Sequence, residues 1–183
     1  MVDGLFYQDT REPFITADLA PATLLTTGTA LYLATGFPTL GAGYFNQRIG
    51  KKIKIEMFGK MTTDGTPGNS LFTVFWGTGA SGNGTSLATS TSTAMTISQT
   101  SLSWWLTLTV RSTTLGSSGA LEVMGMAVFN ESLLAARHFI PASAAAPTTA
   151  DLTANNIISV QYQRSGVGVW TMTVQDLTVT ALN

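Results

Sequence analysis

Cysteine is absent from this 183-residue chain, histidine occurs once, and only 10% of the residues are charged. Without cysteine there are no disulfides, no thiol catalysis and no Cys-based zinc site, and the fold does not depend on the redox compartment. A lone His138 gives a Ser/His/Asp triad one candidate base, no serine lies in a G-x-S-x-G elbow, and a His-based metal site needs more donors than one. The formal net charge of −1 provides no long-range field to draw a polyanion, so nucleic acid is not an expected partner. No apolar run approaches the roughly 18 residues of a membrane span, and no membrane association is expected. The opening MVDGLFYQDTREPF has no basic region followed by an apolar core, so it is not expected to act as a signal peptide.

What fills the chain instead is hydroxyl and glycine: 30 Thr, 15 Ser and 18 Gly make up about a third of it. A hydrophobic fraction of 44% excludes intrinsic disorder, which requires low hydrophobicity and high net charge. Charge is far below the usual quarter of residues, so the surface is wetted mainly by hydroxyls. Such a surface is prone to associate, which points toward an assembly component. The length suits one folded domain.

The apolar period is two. In KKIKIEMFGKM, Ile53, Ile55, Met57 and Met61 alternate with Lys52, Lys54, Glu56 and Lys60, the pattern of a strand with one buried and one wet face. The turn Asp64-Gly65-Thr66-Pro67-Gly68 leads to an apolar run over residues 71–76. Residues 77–92 read as a long surface loop, with a short edge strand near 94–98. Leu102, Trp104, Leu106, Leu108 and Val110 form a second alternation, with Ser103, Trp105, Thr107, Thr109 and Arg111 on the opposite face. Residues 121–129 are apolar on both faces apart from Glu122 and read as a central strand. Residues 157–162 and 169–182 read as a closing hairpin, with a bulge near Gln175-Asp176 where the apolar parity switches. A short helix is expected over 131–137 and a loop over 141–150. The first 45 residues read as an extended N-terminal arm and a first strand near 29–34, followed by a sandwich domain over 46–183. Seven to nine short strands indicate an all-β sandwich or jelly roll.

Candidate chemistry is sparse. Gly77-Thr78-Gly79-Ala80-Ser81-Gly82 matches G-x-G-x-x-G, but no helix opens there. No acidic residue follows until Glu122, so no dinucleotide cofactor is expected. The acids are too scattered for an EF-hand, and no metal is expected. Glu56 and Glu122 are the one carboxylate pair for which hydrolytic chemistry can be entertained, and charge pairing with neighbouring lysines is the simpler reading of Glu56. Arg48, Lys51, Lys52, Lys54 and Lys60 hold five of the nine cations. They form either a docking surface for an acidic partner or the guard of an edge strand. Trp105 is either a sugar platform or interface anchor, or it packs under a loop or between the sheets.

The run Phe45-Asn46-Gln47-Arg48-Ile49-Gly50-Lys51-Lys52-Ile53-Lys54-Ile55, followed by Phe58-Gly59-Lys60-Met61, by Ser103-Trp104-Trp105-Leu106 and by Val174-Gln175-Asp176-Leu177-Thr178-Val179, resembles the jelly-roll virion proteins of tailed bacteriophages. The likeness covers roughly residues 40–183. It implies a tumour-necrosis-factor-like jelly roll and a homotrimeric capsid decoration protein (cement or minor capsid protein) at the virion surface, made in the host cytoplasm. Such a protein would bridge major capsid subunits without catalysis. The arm would order against the shell, making Phe6, Tyr7 and Phe14 partner-binding candidates beside Arg48, Lys51, Lys52, Lys54 and Trp105. The alternative is a receptor- or carbohydrate-binding tail or head-fibre module that takes a host surface glycan.

Overall fold

The computed structural model describes residues 13–17, 30–32, 37, 39–77, 84–130, 136–144, 146–166 and 170–182. They form thirteen strands: β1 (Pro13–Ala17), β2 (Ala30–Tyr32), β3 (Thr39–Leu40), β4 (Lys52–Thr62), β5 (Asn69–Gly77), β6 (Thr85–Thr89), β7 (Thr93–Ala94), β8 (Leu102–Thr114), β9 (Gly119–Phe129), β10 (Ala136–Ile140), β11 (Thr148–Ala150), β12 (Asn156–Arg164) and β13 (Thr171–Leu182). A 3-10 turn, Phe45–Gln47, precedes β4. Among the described residues no helix is long and apolar enough to cross a membrane.

Two antiparallel sheets face each other. Sheet A runs β1-β13-β4-β8-β9-β10, with β11 also on β9; sheet B runs β2-β12-β5-β6, with β3 also on β12 and β7 also on β5. The period-two pattern decides which side is buried. Ile53, Ile55 and Met57 of β4 and Leu106, Leu108 and Val110 of β8 are almost fully buried, and so are Phe72 and Val74 of β5 and Val160 and Tyr162 of β12. Sheet A therefore presses its apolar parity onto that of sheet B, the arrangement of a β-sandwich. Rings of Phe72, Phe129, Tyr162 and Trp170 fill one end, with neighbouring centroids 5.1 to 6.1 Å apart.

The expected bulge is present: the β13–β4 register shifts between Val174 and Asp176. This keeps Trp170, Met172 and Val174 in the core on one parity and Leu177 and Val179 on the other. Several other expectations need correction. Ala136 and Arg137 belong to the edge strand β10 rather than to a helix. The stretch read as a loop over 77–92 contains β6, and the loop over 141–150 ends in β11. The short edge strand expected near 94–98 is Thr93–Ala94. β12 and β13 are not a hairpin, because β12 pairs with β5 in sheet B and β13 with β4 in sheet A. The chain after Arg164 crosses between the sheets instead of turning back within one. Local alternation cannot distinguish these cases, since both connect two half-buried strands through a Gly-rich turn.

Within the stretch read as an arm, β1 pairs with β13 at the end of sheet A. A deletion that tests the arm must therefore stop before Pro13, because cutting residues 1–20 removes a strand as well.

Candidate functional site

β4, β8 and β9 lie inside sheet A, each with a strand on both sides. Their outward side chains therefore form one continuous surface, organised by register into rows across the strands. One row is Asp176, Phe58, Trp105, Val128 and Arg137; the next is Thr178, Glu56, Thr107, Met126 and Phe139. A third carries Thr180, Lys54, Thr109 and Met124, and a fourth Leu182, Lys52, Arg111 and Glu122. Cross-strand partners lie about 5 Å apart, so the large apolar side chains of these rows adjoin one another.

Val128 is buried at 4% exposure, and the other five are open to solvent: Phe58 is 50% exposed, Trp105 46%, Met124 59%, Met126 39% and Phe139 52%. Scattered exposed apolar residues are ordinary, whereas a contiguous group of five on one sheet face is larger than a solvated surface usually carries. Four of the charges around them are paired in place. Lys54 Nζ lies 2.8 Å from Glu56 Oε1, and Arg111 Nε donates to Glu122 Oε2. Lys52, Thr109, Arg111, Glu122 and Met124 line a shallow depression of about 320 Å³ at one end of the face.

The structure separates the sequence candidates. Trp105 points outward from β8, and it is its neighbour Trp104 that fills the core at 1% exposure. Packing under a loop or between the sheets is thus the role of Trp104. Lys52 and Lys54 stand on the same outer face. Their strand is interior to the sheet, so the edge-guard reading of the lysines is corrected: alternation reveals a wet face without revealing the neighbours. Lys51 instead lies over the Tyr44 ring, with Nζ 4.8 Å from the centroid. Burial pushes the Tyr44 hydroxyl up to about 12. The Arg48 carbonyl accepts a 2.9 Å hydrogen bond from Ser112 Oγ, which ties the approach to β4 onto β8. Phe14 belongs to β1, while Phe6 and Tyr7 lie outside the described residues, as does most of the Gly77–Gly82 motif.

Glu56 and Glu122 do not form a hydrolytic pair. Two strand spacings and four residues along the strand separate them, about 16 Å, against the roughly 5–10 Å such a mechanism requires. Among the described residues no group of three or more His, Asp or Glu side chains gathers to hold a metal.

His138 is fully buried on β10. Its Nδ1 lies 3.1 Å from the Thr91 carbonyl oxygen, which can only accept, so Nδ1 carries the proton. Nε2 then accepts from Ser70 Oγ at 3.2 Å. Ser70 is itself 1% exposed, so this Ser–His contact bridges the two sheets where no substrate reaches. Phe72 and Phe129 present ring contacts to the imidazole at 5.3 and 5.4 Å. Burial lowers the His138 pKa, opposed in part by the Thr91 hydrogen bond. A folded value below the unfolded one means that the unfolded chain takes the proton first. Stability should therefore fall as pH drops below about 6.5, by at most about 1.4 kcal/mol per pH unit. Urea unfolding at pH 7.5, 6.5 and 5.5 should show this loss in the wild type and a flatter profile in His138→Gln. A parallel loss in both proteins would assign the acid sensitivity to other groups.

The sequence reading missed Phe58, Met124, Met126 and Phe139. For Phe58 a signal existed: it occupies the parity of Lys52, Lys54, Glu56 and Lys60, where a large apolar residue has no core to enter. Met124 and Met126 carried none, because a strand apolar on both faces reads as covered on both.

No protein family model matches the chain, and no curated protein matches it. Among solved structures, a protein of unknown function, SO2946, from Shewanella oneidensis MR-1 is similar at 12% identity over 91% of this chain and 85% of that one, with a TM-score of 0.38. A legume lectin-like domain from Entamoeba histolytica aligns at 8% identity over 92% and 86%, with a TM-score of 0.35. The CBM2 module of the evolved Dit of Lactobacillus casei BL23 phage J-1 aligns at 10% identity over 96% and 97%, with a TM-score of 0.36. Overlaps this loose tell nothing of what the chain binds.

Proposed function

We propose that the chain is a non-catalytic structural component of a phage virion, a decoration subunit that works by protein–protein contact through the outer face of sheet A. The carrying observation is the contiguous exposed group Phe58, Trp105, Met124, Met126 and Phe139. Aromatic residues, methionine and arginine are the types enriched in the buried centres of protein interfaces. The face is broad, and a small-molecule site is a concave cavity with a few convergent polar groups. The virion context rests on the strand patterns that resemble phage jelly-roll proteins. That resemblance also implies a homotrimer attached to the major capsid protein, with Phe6 and Tyr7 of the arm and the basic residues near β4 as further contacts.

The test is attachment to particles that lack the protein. Purified Phe58→Ser/Trp105→Ser protein, shown to be folded by its circular dichroism and melting temperature, should occupy them at least tenfold less than wild type does. Equal occupancy would overturn the reading. A second reading, glycan binding, is favoured by one specific feature: the Trp105 and Phe58 side chains stand side by side across β8 and β4 with threonine hydroxyls in the adjoining row. It predicts a glycan-array signal that Trp105→Ala removes.

A further inference from the structure

We propose that the outer side of sheet B carries a separate binding site, for a neutral saccharide, at the end where β5 begins and β12 finishes. It depends on neither use of sheet A described above.

Charge is nearly missing from this sheet. Among its strands β2, β3, β5, β6, β7 and β12, Arg164 is the one charged residue. It is 2% exposed, and its guanidinium is engaged by Asp64 and by the Trp170 ring. Among the described residues, none of the exposed large apolar side chains stands on sheet B either. The face therefore offers an ion no counter-charge and a protein no apolar centre.

What it does offer is a hollow of about 410 Å³ bordered by Asn69, Leu71, Ser92, Gln163, Arg164 and Ser165. That volume falls within the roughly 300–1,000 Å³ of small-molecule sites. Leu71 and Gln163 lie opposite each other in the β5–β12 register, on the parity away from the buried Phe72 and Tyr162. The Asn69 and Gln163 carboxamides and the Ser92 hydroxyl make no hydrogen bond among the described residues. Each carboxamide presents a donor and an acceptor side by side, and the hydroxyl does both. Vicinal sugar hydroxyls donate and accept in the same way, while Leu71 provides an apolar contact for the C–H face of a pyranose ring. Gln161 follows on the same side of β12, about 7 Å along the strand, and extends the amide row toward a second sugar unit.

The backbone behind the hollow is fixed before a ligand arrives. Ser165 N donates to the Asn69 carbonyl at 2.8 Å, and Ser165 Oγ accepts from the Asn69 amide at 3.0 Å. The turns before β5 and after β12 pack backbone against backbone. A Cβ on Gly68 would sit 2.4 Å from the Gly166 nitrogen, and one on Gly166 would sit 2.2 Å from the Thr66 carbonyl oxygen. The Arg164–Asp64 pair ties the same two segments together. Binding then has only side chains to order, which keeps its entropic cost low.

Saturation-transfer NMR of the full chain with millimolar maltotriose, cellotriose and chitotriose tests this. At least one of these neutral trisaccharides should receive saturation. Asn69→Ala and Gln163→Ala, each shown to be folded by its melting temperature, should raise the dissociation constant about fivefold or more, the effect of losing a hydrogen bond. Transfer to none of the sugars overturns the site, as does binding that both variants leave unchanged. Trigalacturonate, with a carboxylate on every unit, should bind more weakly than the neutral sugars, and stronger binding would overturn recognition without charge. Trp105→Ala should leave saccharide binding intact. Loss in Trp105→Ala but not in Gln163→Ala would move the saccharide to sheet A and end the proposal for sheet B.

Discussion

Gly59→Ala should lower the melting temperature by about 10 °C. Gly59 lies on the inward parity of β4, opposite the β13 bulge that shifts the register between Val174 and Asp176. A Cβ built there would sit 1.8 Å from the Thr173 carbonyl oxygen and 3.0 Å from Trp104 Nε1. No rotamer relieves the first contact, because Cβ is fixed to the backbone and the obstacle is also backbone. Thr173 cannot easily withdraw either, since its Oγ1 donates to the Lys60 carbonyl at 3.0 Å. Overpacking of this kind costs about 3 kcal/mol, and each kcal/mol moves a domain of this size by about 2–4 °C. Gly65→Ala is the control: nothing lies within 4 Å of a Cβ there, and it should melt within about 2 °C of wild type. Equal melting temperatures for both variants would show that β13 can move away from β4. The consequence extends beyond stability, because the bulge sets which β13 residues stand beside Phe58 on the outer face.

The second large effect concerns the crossing between the sheets. Arg164 ends β12 at 2% exposure. Its Nη2 lies 3.3 Å from Asp64 Oδ2, and its guanidinium carbon lies 5.2 Å from the Trp170 ring centroid. Asp64 also accepts the Thr66 amide through Oδ1 at 2.8 Å, closing the turn before β5. Asp64→Ala removes one carboxylate partner of a buried cation together with the acceptor that closes the turn, and should cost about 3 kcal/mol, again about 10 °C in melting temperature. Arg164→Met should cost clearly less. It removes the buried charge, keeps apolar bulk against Trp170, and leaves Asp64, whose side chain is 21% exposed, able to hydrate. Thermal melts of both variants and of Asp64→Asn, which keeps an acceptor for Thr66, separate the charge from the turn. Arg164→Met proving as damaging as Asp64→Ala would assign the effect to packing rather than to the lost ion pair.

These two sites show how unevenly the fold was legible. Strand β4 and the facing alternation of β8 were readable residue by residue, because burial on one face imposes period two on the side chains. The β13 bulge was readable too, as a parity switch between Val174 and Leu177. The Arg164–Asp64 pair was not, since 100 residues separate its members and nothing local to either announces the other. The same holds for β10, where helix-favouring residues at 131–137 suggested a helix that pairing with β9 overrides at Ala136 and Arg137. Intrinsic propensity amounts to tenths of a kcal/mol per residue, and a ladder of strand hydrogen bonds outweighs it.

The candidate site divides in the same way. The sequence by itself determined that the chain is all-β, nearly uncharged and without cysteine, and that Trp104 and Trp105 face opposite ways. Each follows from composition or from the alternation of a strand, which needs no knowledge of neighbours. The tertiary structure alone decided that Trp105 stands open to solvent, because the polar parity of a strand can still lie under a loop or a further sheet. It also decided that Phe58, Met124, Met126 and Phe139 adjoin Trp105, since lateral order among strands is set by long-range hydrogen bonding and leaves no trace in local periodicity.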